Sequence, residues 1–260
     1  MNKQLFFEWF IGIFIILISS PIGALIVWKR MSFFGDSLSH SLFLGVSLSY
    51  IFNFNYFILN IFLIIFFLLC IFFIETYSKI KIDAIVNILT NISLSIGIIL
   101  LNIISKNKNI DIPKYLFGDL SKICVHDIFI IFFFSIIILM TLYYFWEKFL
   151  FIIVNSDLAQ INGINVYLIR FILMFLTAFT IGISIQFFGV LLITSLLVIP
   201  TSISQKFSYS PENSVIISII LSIFSLTLGI FISYYYLIPI SPIIVLILSI
   251  IFIFSLFFKK

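Results

Sequence analysis

An acid and an imidazole stand four residues apart at Asp36 and His40, within Met31-Ser32-Phe33-Phe34-Gly35-Asp36-Ser37-Leu38-Ser39-His40-Ser41. On a helix that spacing puts both side chains on one face, one turn apart. Ser32 and Ser39 fall near the same face. A carboxylate oxygen and an imidazole nitrogen form a ligand pair suited to a divalent transition metal. Two ligands are too few for a closed zinc site, which takes four. A site that must release its ion tolerates a short set, and a second copy of the chain or other helices could add ligands. On spacing alone a different reading stays open. Asp36 would cap a helix N-terminus just after Lys29-Arg30, with His40 bonded to a backbone oxygen.

A second polar stretch runs Asn155-Ser156-Asp157-Leu158-Ala159-Gln160-Ile161-Asn162-Gly163-Ile164. It predicts a short helix with Ser156 or Asp157 as the N-cap and Gly163 at the end. Such a helix on a loop can dock a motor subunit, or it can be an ordinary solvated connection. His126 starts an apolar run beside Asp127 and lacks an acid on its own helical face, so an interfacial hydrogen bond is expected. Arg170 is expected to snorkel to the surface. Glu8, Glu75, Glu147 and Glu212 flank apolar runs and read as interfacial.

The chain lacks G-x-x-x-x-G-K-[ST], so no P-loop binds ATP here. It also lacks H-E-x-x-H and G-x-S-x-G, which argues against protease and esterase chemistry. Cys70 lies in an apolar run and Cys124 in a polar connection, and neither has metal-ligand spacing.

The elements that must hold these residues are membrane helices. Of 260 residues, 63% are hydrophobic and 9% charged, against about 25% charged in soluble domains. Mean hydropathy is +1.33. So few charges cannot cover a water-facing surface. The 35 Phe and abundant Ile also match an AT-rich coding bias, so they carry little functional meaning. A span needs about 20 apolar residues. Candidate spans are Phe10–Trp28, Leu38–Phe52, Phe57–Ile74, Ala84–Ile104, Ile128–Trp146, Leu168–Ile185, Val190–Ile203, Val215–Tyr236 and Ile243–Phe258. The expectation is an all-α polytopic bundle of eight or nine transmembrane helices, forming a single domain over residues 1–260. The runs are continuous rather than alternating, which disfavours a β-barrel. The first run is read as a retained helix and not a cleaved signal peptide.

The net charge of +4 comes from Lys and Arg placed singly or in pairs between apolar runs, which sets orientation in a membrane and does not form a nucleic-acid surface. With nine alternating spans, Lys29-Arg30, Lys79, Lys81, Lys148, Lys206 and Lys259-Lys260 share one side, the cytoplasm. The connection from Ser105 to Asp127, with Lys106, Lys108, Lys114 and Lys122, then falls outside against that rule. Pro21, Gly23 and Pro200 interrupt spans and predict packing kinks.

The segment Val27 to His40 resembles the V-W-R-R-M-S-[FY]-F-G-D-x-L-[AS]-H signature of bacterial metal-ion ABC importer permeases. Three further segments agree in order: Tyr115 to Leu120; Ser156 to Ala159 with Gly163-Ile164; and Gly189 to Pro200. The resemblance covers nearly the whole chain. Manganese and iron relatives often carry H-A-x-x-P-G, whereas Leu44 stands here in place of that proline. This favours the high-affinity zinc import permeases. The resemblance implies a dimeric permease in the bacterial inner membrane. It implies a periplasmic metal-binding protein and a cytoplasmic ATP-binding subunit as partners, with no catalytic residue and no permanently bound cofactor. Zn2+ would be the cargo. Asp36 and His40 become the implied metal-path residues, and Asp157, Ala159 and Gly163 the implied contact with the ATPase subunit.

Overall fold

A computed structural model describes residues 3–54, 56–78, 82–105, 117–118 and 125–258. Its helices are α1 (Lys3–Trp28), α2 (Ser32–Phe52), α3 (Tyr56–Tyr77), α4 (Ile82–Ser105), α5 (Val125–Val154), α6 (Ser156–Ile161), α7 (Val166–Phe207), α8 (Pro211–Tyr236) and α9 (Ile240–Phe257). No strand occurs among the described residues. Among the described residues, eight segments are long and apolar enough to cross a membrane: one each in α1, α3, α4, α5, α8 and α9, and two in α7. The protein is a multi-pass membrane helix bundle.

α2 is the exception. It is long enough to cross, but Ser32, Asp36, Ser37, Ser39, His40, Ser41, Ser47 and Ser49 make it the polar helix of the bundle. This accounts for both counts in the sequence reading: eight apolar spans and a ninth helix that is not apolar.

α7 consists of two helical halves that meet at a sharp turn at Gly189, whose φ of 71° and ψ of 174° lie outside helical values. A straight helix of that length would reach about 60 Å, twice the hydrocarbon thickness. Contacts show the reversal. Arg170 near the start of α7 meets Glu75 at the end of α3. Phe188 meets Ser241 at the start of α9. Ser204 then meets Ser214 at the start of α8. The left-handed φ is accessible to glycine at no steric penalty. Gly118 lies against the same turn, where a Cβ would stand 2.3 Å from the Phe187 carbonyl oxygen.

α1 and α7 form the centre. Ile11, Ile15, Ile16, Ile18 and Ile22 of α1 are sealed, as are Ile181, Phe188, Leu192, Ile193, Leu196 and Leu197 of α7. Gly23 lets the two helices touch, since a Cβ there would fall 2.1 Å from the Leu197 carbonyl oxygen. That close contact, one turn from Pro200, supports the packing reading of these punctuating residues. Around this centre, α3, α4, α5, α8 and α9 expose large apolar side chains such as Phe62, Ile99, Phe133, Ile220 and Phe254. In lipid that is the expected outer surface.

Lys29, Arg30, Lys148, Arg170 and Lys206 all lie near one end of the bundle. Trp28 and Trp146 approach to 6.4 Å there, and Trp146 Nε1 donates to Glu212 at 3.1 Å. By the positive-inside rule that end is cytoplasmic, as the alternating spans require. The expectations for Lys79, Lys81, the lysines between 106 and 122, Cys124, Lys259 and Lys260 lie outside the described residues, and the side chain of His126 is likewise not described.

Candidate functional site

α2 begins at Ser32 with Met31 in the capping position and no side-chain cap. Asp36 is therefore one turn inside the helix, and the capping alternative does not hold. Its carboxylate instead faces the imidazole, with Asp36 Oδ1 3.5 Å from His40 Nε2. Their side chains are 51% and 38% exposed in the isolated chain. Phe33, one turn earlier on the same strip, is 79% exposed.

The serines behave differently from the sequence expectation. Ser39 is buried and its hydroxyl donates to the Gly35 carbonyl at 2.9 Å, so it does not join the pair. Ser41, Ser47 and Ser49 also donate to carbonyls of their own helix. These back-bonds satisfy hydroxyls that lipid or protein would otherwise strand. Asp36 and His40 project from the helix as its ionisable groups, with Ser32 and Ser37 partly exposed on the same stretch.

Neighbouring contacts set the depth of the pair. Gly35 lies against Ile181 and Leu197, each eight residues from the turn at Gly189. Gly97, eight residues before the end of α4, lies against Phe43 and Leu44 of α2. Eight residues of helix rise about 12 Å. The pair lies between these two levels, so it is well inside the membrane-spanning layer. α2 is held there chiefly by α4, then by α7 and α3. The absence of a Cβ at Gly97 permits this, since one would fall 2.8 Å from the Leu44 nitrogen.

Among the described residues no group of three or more His, Cys, Asp or Glu side chains could hold a metal ion. One copy of this chain thus presents two donors on a face left open, not a closed cage.

The 155–164 stretch folds as expected in outline. The cap is Asn155, not Ser156 or Asp157. Its Oδ1 accepts from Asp157 N at 2.9 Å and Leu158 N at 3.1 Å. The end is a Schellman closure in which Ile164 N donates to Ala159 O and Gly163 N to Gln160 O, with Gly163 at φ 77°. Ala159 is fully buried, which anchors α6, while Asp157 is exposed. Leu158 and Ile161 are 50% and 80% exposed and form an apolar knob that the sequence reading passed over. α6 lies at the cytoplasmic end.

Two interactions near that end escaped sequence reasoning. Arg170 does not snorkel free; its Nη1 donates to Glu75 Oε1 at 2.7 Å, with both side chains mostly covered. Glu75 stays at the end of its span, as expected, but is paired there with Arg170. Lys29 Nζ donates to the Ile152 carbonyl at 3.3 Å, tying the α1–α2 turn to the last turns of α5, just before α6. Burial, with the nearby Arg170 guanidinium, holds the Lys29 ammonium below the usual lysine range. Glu8 also departs from expectation, being buried inside α1 at 7% exposure.

A polytopic helix bundle with one polar helix carrying a metal-type donor pair at depth, and a capped short helix at its cytoplasmic end, defines a membrane permease. The ABC 3 transport family model matches residues 1–259, and the chain belongs to that family. It is 44% identical over 246 residues to the high-affinity zinc uptake system membrane protein ZnuB of Buchnera aphidicola subsp. Acyrthosiphon pisum, covering 95% of this chain and 94% of that one. Identity to the ZnuB protein of Haemophilus influenzae is 38%, covering 96% and 95% of the two chains. Manganese transport membrane proteins of Listeria and manganese import permeases of Streptococcus match at 25% to 29% identity. Among solved structures, PsaBC from Streptococcus pneumoniae in complex with Fab superposes with a TM-score of 0.86 at 26% identity, covering 100% of this chain and 93% of that one.

Proposed function

We propose that this chain is the membrane-spanning permease subunit of an ATP-driven zinc importer in the bacterial inner membrane, working as one transmembrane domain over residues 1–260. The carrying observation is the Asp36–His40 pair, held at depth on a half-exposed strip of the polar helix. A carboxylate turned toward acyl chains is unfavourable by several kcal/mol, on the order of 3 at the centre of a helix. That strip therefore faces a water-lined path or a protein partner. A second copy related by two-fold symmetry supplies both. It brings another Asp36 and His40, making four donors, the number a zinc ion accepts. Zn2+ is cargo at this site, held by donors from two chains and released when they part.

ATP hydrolysis falls to a separate cytoplasmic subunit, which docks on α6. Asp157 is the polar contact there, buried Ala159 fixes the helix to the bundle, and Gly163 ends it. Leu158 and Ile161 supply the apolar contact. A periplasmic metal-binding protein delivers the ion at the opposite end. Zinc is preferred to manganese or iron because relatives of 38% to 44% identity are zinc uptake proteins, while manganese relatives are more distant. A secondary ion-coupled transporter is the competing reading of the same pair.

The test is uptake by the reconstituted complex with zinc, manganese and iron in competition. Zinc uptake that requires ATP and outcompetes the other two supports the proposal. Uptake driven by an ion gradient without ATP would overturn it.

A further inference from the structure

Glu8 lies in the second turn of α1, at the end of the bundle opposite Lys29, Arg30, Lys148, Arg170 and Lys206, and so toward the outer leaflet. It is buried, and no hydrogen bond or ion pair reaches it from the described residues. Its side chain lines a cavity of 280 Å³ together with Gly118, Ser233, Tyr234 and Ser241. The two serine hydroxyls there are already engaged: Ser233 donates to the Ile238 carbonyl, and Ser241 is shared between the Phe117 and Phe188 carbonyls. A buried carboxylate with no partner among the described residues is left facing a partly open cavity of mixed lining. An intramembrane carboxylate in that state calls for a partner.

Beside this cavity is a second one, of 550 Å³ and apolar, lined by Phe6, Trp9, Thr227, Phe231 and Tyr235. Leu5, Ile230 and Tyr234 line both, so the two spaces adjoin. Phe6, Phe231, Tyr234 and Tyr235 are 46% to 66% exposed, so the apolar groove opens to the surrounding lipid. α8, which forms one wall, makes no substantial contact with α2, which separates this place from the Asp36–His40 pair.

We propose that this compound site holds a phospholipid with a primary ammonium headgroup from the outer leaflet, its ammonium donating to Glu8 and an acyl chain lying in the aromatic groove. The chemistry selects this occupant. The carboxylate supplies a negative charge and hydrogen-bond acceptors, which suit an ammonium and repel an anionic headgroup. A quaternary ammonium carries no N–H to donate. A metal ion would need further ligands, and none stands beside Glu8 among the described residues. Aromatic side chains lining the groove suit the depth where headgroups meet acyl chains.

The experiment is lipid retention by the purified permease after equilibration with vesicles of equal phosphatidylethanolamine, phosphatidylcholine and phosphatidylglycerol carrying identical chains, read by mass spectrometry. A charge-assisted hydrogen bond predicts about tenfold preference for phosphatidylethanolamine. Glu8→Gln, nearly isosteric, should remove the headgroup preference. Thr227→Trp, placed in the open groove, should lower retention of all three lipids. Equal retention of the three lipids by the unaltered protein would overturn the proposal, as would an undiminished preference in Glu8→Gln. Full retention in Thr227→Trp would do the same. None of these readouts depends on which metal is carried.

Discussion

Asp36 Oδ1 stands 3.5 Å from His40 Nε2 across one turn of α2, the helix that α4, α7 and α3 hold in the bundle. Both side chains are partly exposed, so their oxygen and nitrogen donors stay accessible from outside the single chain.

Asp36→Ala and His40→Ala each remove one donor. At limiting zinc, uptake should fall about tenfold or more in either variant, while the protein still inserts. Radioactive zinc uptake alongside quantitation of membrane-inserted protein checks this, and unchanged uptake would remove the pair from the path.

If α2 faces its own copy, Phe33→Cys should cross-link between chains. Phe33 is the most exposed member of the strip. In a background carrying Cys70→Ala and Cys124→Ser, oxidation should give a dimer band on non-reducing gels. A monomer band alone, with an introduced thiol that remains reactive, would count against the two-fold arrangement.

Docking should depend on the exposed side of α6. Ile161→Asp places a charge on the apolar knob and should abolish co-purification of the ATPase subunit. Asn155→Ala removes the cap and should loosen α6 by about 1 kcal/mol, giving partial loss of zinc-stimulated ATP turnover. Full co-purification and turnover in both variants would relocate the contact.

The Glu75–Arg170 pair should be structural. Arg170→Met leaves a largely covered carboxylate unpaired and should destabilise the protein by about 1 to 3 kcal/mol, a range reduced because neither group is fully buried. Thermal unfolding in detergent measures it, and the charge swap Glu75→Arg with Arg170→Glu should recover part of the loss.

Gly97→Val should push α4 away from α2, since its Cβ would meet backbone and cannot be relieved by a side-chain rotation. Overpacking of this kind carries about 1 to 3 kcal/mol. Zinc uptake should fall with Asp36 and His40 both intact, and normal uptake with an unchanged melting temperature would show that the α2–α4 contact yields freely.

The spans were legible because each is a local property. A run such as Ile58–Glu75 is apolar enough to leave water wherever the rest of the chain goes. The Asp36–His40 pairing was legible for the same reason, since helical geometry alone brings positions four apart together. Asn155 shows where local reading reaches its limit. Three neighbouring residues were chemically able to cap α6, and the backbone's entry direction decided among them.

Sequence by itself determined the membrane class, the helix count within one, the polar character of α2 and the donor pair, because periodicity and transfer free energy act over a few neighbouring residues. Tertiary structure decided the rest. Arg170 found Glu75 across 95 positions, α7 turned back at Gly189, and Glu8 was buried beside a cavity. Those outcomes depend on which helix packs beside which, and hydropathy carries no record of neighbours.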